Sequence, residues 1–158
     1  MIELKGDIFD YADAEWNDVD ALCVLTNMTV KANGNLIMGG GQALIAAQKF
    51  PELPQFWGAK TEQLIEQAYH RVTILTRLGR FDKYCLISFP TKKHPKESSS
   101  LPLILQAATE LVQLADNRKW QNVVLPRPGC GLGGLDWYTD VRPTIENVLD
   151  NRFKVMTF

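Results

Sequence analysis

Apolar residues cluster along this chain in short runs separated by polar, glycine-rich stretches. Ala21–Thr26 (ALCVLT) is continuous, the pattern of a strand buried on both faces of a sheet, and residues 122–125 read the same way. Residues 1–5 and 153–158 read as further strands. Residues 71–78 and 84–89 form another pair, and Gly79-Arg80-Phe81-Asp82-Lys83 between them suits a hairpin. Four segments have helical composition: 42–50, 62–69, 101–117 and 141–149, with Pro51 and Pro54 punctuating the end of the first. In the third, Leu103, Ala107, Leu111 and Leu114 make one stripe. Pro102 falls in its first turn, where proline is tolerated, and Ser99 or Ser100 is placed to cap it. Strands and helices interleave. The pattern predicts an α/β fold, a three-layer α/β/α sandwich with a mixed central sheet and a single domain over residues 1–158.

Two glycine-rich segments interrupt this pattern at strand ends. One is Met38-Gly39-Gly40-Gly41-Gln42-Ala43, closing a long polar loop that begins at Asn27. The other is Pro126-Arg127-Pro128-Gly129-Cys130-Gly131-Leu132-Gly133-Gly134-Leu135-Asp136-Trp137. Glycine lets backbone N–H groups turn toward a ligand and lets the ligand come close. A helix N-terminus behind such a loop favours an anion. Two such loops at strand ends suggest a cradle for a diphosphate at one edge of the sheet. Neither common nucleotide fingerprint fits. No Gly-Lys-Ser/Thr follows the second loop, and its glycines match Gly-x-Gly-x-x-Gly only with a slipped position.

Composition narrows the choice. The chain has 158 residues and a formal net charge of -1, with no basic block. That argues against binding held mainly by nucleic-acid phosphates, while leaving room for contact with a modified end or a flipped base. Three cysteines without paired spacing read as reduced thiols, Cys23 and Cys85 as small buried hydrophobes. No apolar run reaches bilayer length and the N-terminus lacks a signal-peptide pattern. We therefore expect a cytoplasmic protein, free-standing and monomeric, with no membrane partner.

Several side chains could carry chemistry. Asn27 stands at the end of a buried strand, where its amide can bond sugar hydroxyls, whereas Asn33-Gly34 reads as a turn. Asp7 after the first strand could accept from an adenine amino group, and reads equally as a solvated turn aspartate. Thr91-Lys92-Lys93-His94 follows a strand end. A lysine there can stabilise phosphate or act chemically, and the bland alternative is a solvated charge cluster. His70 and His94 are too scattered for a metal site, and no cofactor is expected. No Gly-x-Ser-x-Gly supports a serine triad.

The chain resembles the macrodomain superfamily, which binds ADP-ribose. It is most similar to the branch holding the DNA ADP-ribosyl glycohydrolase antitoxins and the terminal ADP-ribose protein glycohydrolases. The segments that carry the resemblance are Lys5-Gly6-Asp7-Ile8, Thr26-Asn27, Met38-Gly39-x-Gly41-x-Ala43, Phe89-Pro90-Thr91-Lys92 and Pro128 through Trp137. The resemblance implies that Asp7 holds the adenine amino group and the Ile8 N–H the ring. It implies that Thr26, Asn27 and Gly39, Gly40 and Gly41 hold the distal ribose. Pro128, Gly129, Cys130, Gly131, Leu132, Gly133, Gly134 and Leu135 would wrap the diphosphate. Lys92 matches the branch lysine that takes part in releasing ADP-ribose, with Asn27 beside it. Relatives differ in whether such a lysine is a covalent nucleophile or positions the ribose.

One departure matters. The terminal ADP-ribose protein glycohydrolases carry an aspartate where this chain has Gly133. The antitoxin-like pattern has Gly-Gly there, as here, so the resemblance favours modified nucleobases over protein glutamate. The first loop also lacks the Asn-Ala-Ala-Asn of better-known macrodomains, so their water-positioning mechanism is not implied. The expectation is an ADP-ribosyl glycohydrolase acting on ADP-ribosylated DNA or protein. The alternatives are a non-catalytic ADP-ribose reader and an ADP-ribose 1''-phosphate phosphatase.

Overall fold

The computed structural model describes residues 1–15, 18–68, 70–76 and 84–157. Among these residues six strands form one sheet in the order β1-β6-β5-β2-β4-β3: β1 Ile2–Lys5, β2 Ala21–Thr26, β3 Ile74–Thr76, β4 Cys85–Pro90, β5 Val123–Pro126 and β6 Phe153–Thr157. All neighbours run parallel except β3, which pairs antiparallel with β4, Ile74 opposite Ser88. The sheet is mixed, as expected. The predicted hairpin turn, residues 79–83, lies outside the described residues.

The continuous apolar runs are explained by two cores. Ala21, Cys23, Ile87, Phe89, Val123 and Leu125 face one side, packed under α4 (Leu101–Arg118) and α5 (Arg142–Ile145). Leu22, Val24, Leu86 and Val124 face the other, under α1 (Ile8–Ala14), α2 (Gly41–Lys49) and α3 (Leu53–Glu66). Successive strand residues point to opposite faces, so a strand covered on both sides must be apolar throughout. Cys23 and Cys85 are buried within these runs.

Three expectations need correction. Helix α1 was not predicted: IFDYADA is short and carries two aspartates, and its start is set by Asp7, whose Oδ1 accepts from the N–H groups of Phe9 and Asp10 at 2.8 and 3.0 Å. Helix α3 begins at Leu53, not at residue 62, because Pro54 occupies its first turn instead of breaking it. The last helix was expected at 141–149. It starts instead with a π-helical turn, Trp137–Val141, and ends at Ile145. Pro143 has no N–H to continue the ladder into that turn, and Val141 N–H reaches back to the Asp136 carbonyl at 3.1 Å.

Candidate functional site

The sheet opens at one edge for a local reason. β2 is paired with β4 from Ala21 to Thr26, but with β5 only at Ala21 and Leu22. Beyond Leu22 the side chain of Gln42 replaces the missing strand. Its Oε1 accepts from Leu25 N–H at 2.8 Å, and its Nε2 donates to the Cys23 carbonyl at 3.0 Å. Buried backbone groups must find partners, so this one side chain lets β2 and β5 diverge without leaving them unsatisfied. β2 is also where the chain's later strands divide, β3 and β4 to one side, β5 and β6 to the other. A crevice at such a switch point, outside the carboxyl ends of the strands, is where α/β sheets bind ligands.

A cleft of about 860 Å³ occupies this position. Thr26, Asn27, Gly39, Gly40, Gly41, Lys92, Gly129, Cys130, Gly131, Leu132, Gly133 and Leu135 line it, so both glycine loops and the lysine meet at one site. Asp7, Ile8, Pro128 and Gly134 do not line it. Asp7 caps α1 just behind the cleft floor, where Gly6 N–H bonds the carbonyl of Thr157, itself a lining residue, at 2.8 Å. The Ile8 side chain is buried in the core beneath α1. The lining residues that were not predicted include Gln42, Lys96, Arg127 and Tyr138. Gln42 and Arg127 stand within the glycine-rich segments and Lys96 in the polar loop after β4, but no pattern marked them or Tyr138 as site residues.

The first loop is braced by side-chain amides. Asn27 Nδ2 donates to the Ile37 carbonyl at 2.9 Å, and its Oδ1 accepts from Thr29 N–H at 3.0 Å. Asn27 thereby ties the β2 end to the strand of loop that delivers Gly39. Asn33 and Gly34 make a turn, with Gly34 at φ +86°. Thr26 is buried, its hydroxyl 2.8 Å from that of Ser88. Gly41 opens α2 at φ +56°, with Gly40 as its N-cap, so the helix N-terminus faces the cleft.

The second loop is braced by packing. A Cβ at Gly133 would run into Ser99 Oγ and stand 2.6 Å from the Gly129 carbonyl oxygen. A Cβ at Gly129, φ +74°, would lie 2.9 Å from Ser99 Cβ. These two glycines are required by the protein's own contacts. Gly131 and Gly39 differ: an added Cβ there meets nothing within 4 Å, so the space beside them is free for a ligand. Leu132 projects from the second loop toward the first, where its Cδ1 would lie 3.3 Å from a Cβ on Gly40. The Cys130 thiol is half-buried, and burial pushes it up to about 11 against the pull of Arg127, so it is protonated at neutral pH.

Lys92 reaches into the cleft from the loop after β4, its Nζ donating to the Glu97 carbonyl at 3.2 Å. At the opposite end, Arg127 lies 5.0 Å from the Trp137 ring and 5.4 Å from the Tyr138 ring. Its guanidinium is fixed by Glu3 at 3.1 Å, which also accepts from Trp137 Nε1 at 3.1 Å. Asp136 caps the π-turn, and the Thr139 N–H it accepts holds its carboxyl below the usual range. Among the described residues, no cluster of three or more His, Cys, Asp or Glu could hold a metal ion. Nor is any helix among them long and apolar enough to cross a membrane.

The sheet order, the covering helices and a switch-point cleft with two glycine loops define a three-layer α/β sandwich of the macrodomain kind. The Macro domain family model matches residues 31–143, and the chain belongs to that family. It is 28% identical over 114 residues to a DNA ADP-ribosyl glycohydrolase of Thermus aquaticus, covering 72% of this chain and 31% of that protein. It is 33% identical over 109 residues to the DNA ADP-ribosyl glycohydrolase of Mycobacterium tuberculosis, covering 64% of this chain and 28% of that one. The chain thus spans about three tenths of the length of these curated relatives. Among solved structures it resembles the macrodomain of Mycobacterium tuberculosis DarG, with TM-score 0.72 at 24% identity over 99% of this chain and 97% of that one. It also resembles Thermosipho africanus DarTG in complex with ADP-ribose, with TM-score 0.73 at 20% identity over 99% of this chain and 41% of that one.

Proposed function

We propose that this macro domain binds ADP-ribose in the switch-point cleft and hydrolyses the bond joining ADP-ribose to a modified DNA base. One observation carries the reading. Lys92, Asn27 and both glycine loops, far apart in sequence, line a single cleft whose ligand-facing glycines have open space beside them. The curated relatives act on DNA-linked ADP-ribose by name, and one neighbour was solved with ADP-ribose bound.

In this reading the diphosphate lies between the N-terminus of α2 and the Gly129–Leu135 loop. Backbone N–H groups and the helix dipole there favour negative charge. The adenine end lies toward Thr157, with Asp7 and the Ile8 N–H beyond it. Ile8 opens α1, so its N–H has no partner within that helix. The distal ribose sits between Asn27, Gly39 and Lys92. Water adds at its C1'' as the C1''–N bond breaks. The base leaves with the electron pair and takes up a proton, and ADP-ribose departs with a C1'' hydroxyl. Lys92 stabilises the negative charge that develops on the departing base, and Asn27 holds the loop that orients the sugar. Gly133 has no room for the aspartate of the terminal ADP-ribose protein glycohydrolases, which favours a nucleobase over a protein glutamate. We also take residues 1–158 as one domain, monomeric and cytoplasmic.

The test is to incubate the protein with ADP-ribosylated DNA and ADP-ribosylated protein, following free ADP-ribose beside a Lys92→Ala control. Release from DNA, falling about 100-fold or more in the variant while ADP-ribose affinity stays within a few-fold, is expected. Release from protein alone would overturn the substrate assignment. ADP-ribose binding without release from either would make the domain a reader.

A further inference from the structure

Lys92, Lys93, His94 and Lys96 occupy a five-residue stretch at the distal-ribose mouth of the cleft, in a chain whose net charge is only -1. Lys93 and Lys96 are exposed, and so is Lys31 on the loop against which this stretch packs. Among the described residues the acid that lines the cleft, Asp136, lies instead at the Arg127 end with Glu3 and Asp140, where they serve Arg127, Arg142, Trp137 and the π-turn. The one acid in the basic loop, Glu97, accepts from the His94 N–H at 3.3 Å. Charge is therefore polarised along the cleft, positive where the leaving group would stand.

The basic loop is also fixed in place. The Lys93 carbonyl accepts from Met28 N–H at 3.0 Å and from Thr29 Oγ1 at 2.7 Å. Thr91 N–H bonds the Thr26 carbonyl at 3.0 Å, and Ser100 N–H closes the loop on the Thr91 carbonyl at 2.8 Å. Within it, Lys96 N–H donates to His94 Nδ1 at 3.1 Å. A surface ordered before binding loses little entropy when a partner arrives.

We propose that this loop is a phosphate rim that holds the strand flanking the modified base, with Lys31, Lys93 and Lys96 as its contacts. A base bearing ADP-ribose cannot present its sugar to Lys92 while stacked in a duplex, so the fitting partner is single-stranded polynucleotide or a flipped-out nucleotide. Its backbone passes over the basic rim, not the acidic one. Three phosphate contacts are few enough to agree with the low net charge and many enough to select a polymer over a nucleoside.

The inference rests on the hydrolase reading, and its test separates the two. The kcat/KM for release is measured on a single-stranded oligonucleotide with one ADP-ribosylated base and on the matching ADP-ribosylated nucleoside, at 50 and 200 mM salt. The rim predicts a drop of about 20-fold across that range for the oligonucleotide beyond any drop for the nucleoside, a log–log slope near -2 for three contacts. The double substitution Lys31→Ala, Lys93→Ala should bring that slope to about -0.7 and leave the nucleoside rate unchanged. Thermal unfolding and ADP-ribose affinity check that the variant is folded. Equal rates and salt dependence on the two substrates would overturn the rim alone. So would a double variant that keeps the wild-type slope. Failure to release ADP-ribose from either substrate would overturn the hydrolase reading and the rim with it.

Discussion

The two glycine loops face one another across the cleft, yet they are held in place by different forces. The first is tied by polar side chains: Asn27 bonds Ile37 and Thr29, and Gln42 bonds Leu25 and Cys23. The second is wedged: Gly129 and Gly133 close over Ser99 with no space for a methyl group. Other glycines, Gly39 in the first loop and Gly131 and Gly134 in the second, touch nothing that a missing side chain would meet. A glycine-rich loop is thus not uniformly a ligand loop. Some of its glycines answer to the protein's own packing and others to what is bound.

This difference can be broken at both ends. The largest effect is expected at Gly133. Gly133→Ala should cost about 2–3 kcal/mol in chemical denaturation, since the methyl group meets backbone as well as the Ser99 hydroxyl. A cost below about 0.5 kcal/mol would show that the loop is not wedged.

Cys130, between the packed Gly129 and the open Gly131, sharpens the contrast. With its pKa raised from the ordinary 9.0 to about 11 by burial, it should carry about 100-fold less thiolate at pH 8 than a free thiol. Iodoacetamide labelling followed by mass spectrometry should be correspondingly slow and should accelerate toward pH 11. The same shift gives stability a sign. Between pH 9 and 11 the folded chain keeps a proton that the unfolded chain has lost, so the contribution of Cys130 to stability falls as pH rises through that window. Labelling as fast as that of a free cysteine would show that the second loop is open to solvent.

On the first loop, Gln42→Ala should cost about 2 kcal/mol by thermal or urea unfolding, because it leaves the Leu25 N–H and Cys23 carbonyl without partners. Stability unchanged would mean that water or β5 closes the gap and that the amide is not what holds the crevice open.

The sequence showed the layers and the strand-end loops, because buried parallel strands must be apolar on both faces and glycine runs stand out from them. It also grouped Lys92 with both loops, through the resemblance of their motifs, and all three line one cleft. It did not reveal α1, whose seven residues are too few for a clear period and whose start depends on the Asp7 cap. It did not reveal where α3 begins, since Pro54 looks like a stop until the helix is seen to start around it. Gln42 and Ser99 were invisible as architects of the cleft for a different reason. Their partners are backbone and loop atoms 17 to 34 residues away, and no local pattern records such a meeting.

The central claim is that the open side of the two loops is where ADP-ribose binds. Titration calorimetry with ADP-ribose on the wild type and on Gly131→Ala tests it most directly. The methyl group meets no protein atom, so the variant should unfold within about 0.5 kcal/mol of the wild type, yet bind ADP-ribose about 10-fold more weakly. Wild-type protein that does not bind ADP-ribose, or a variant that binds it equally well, would contradict the account.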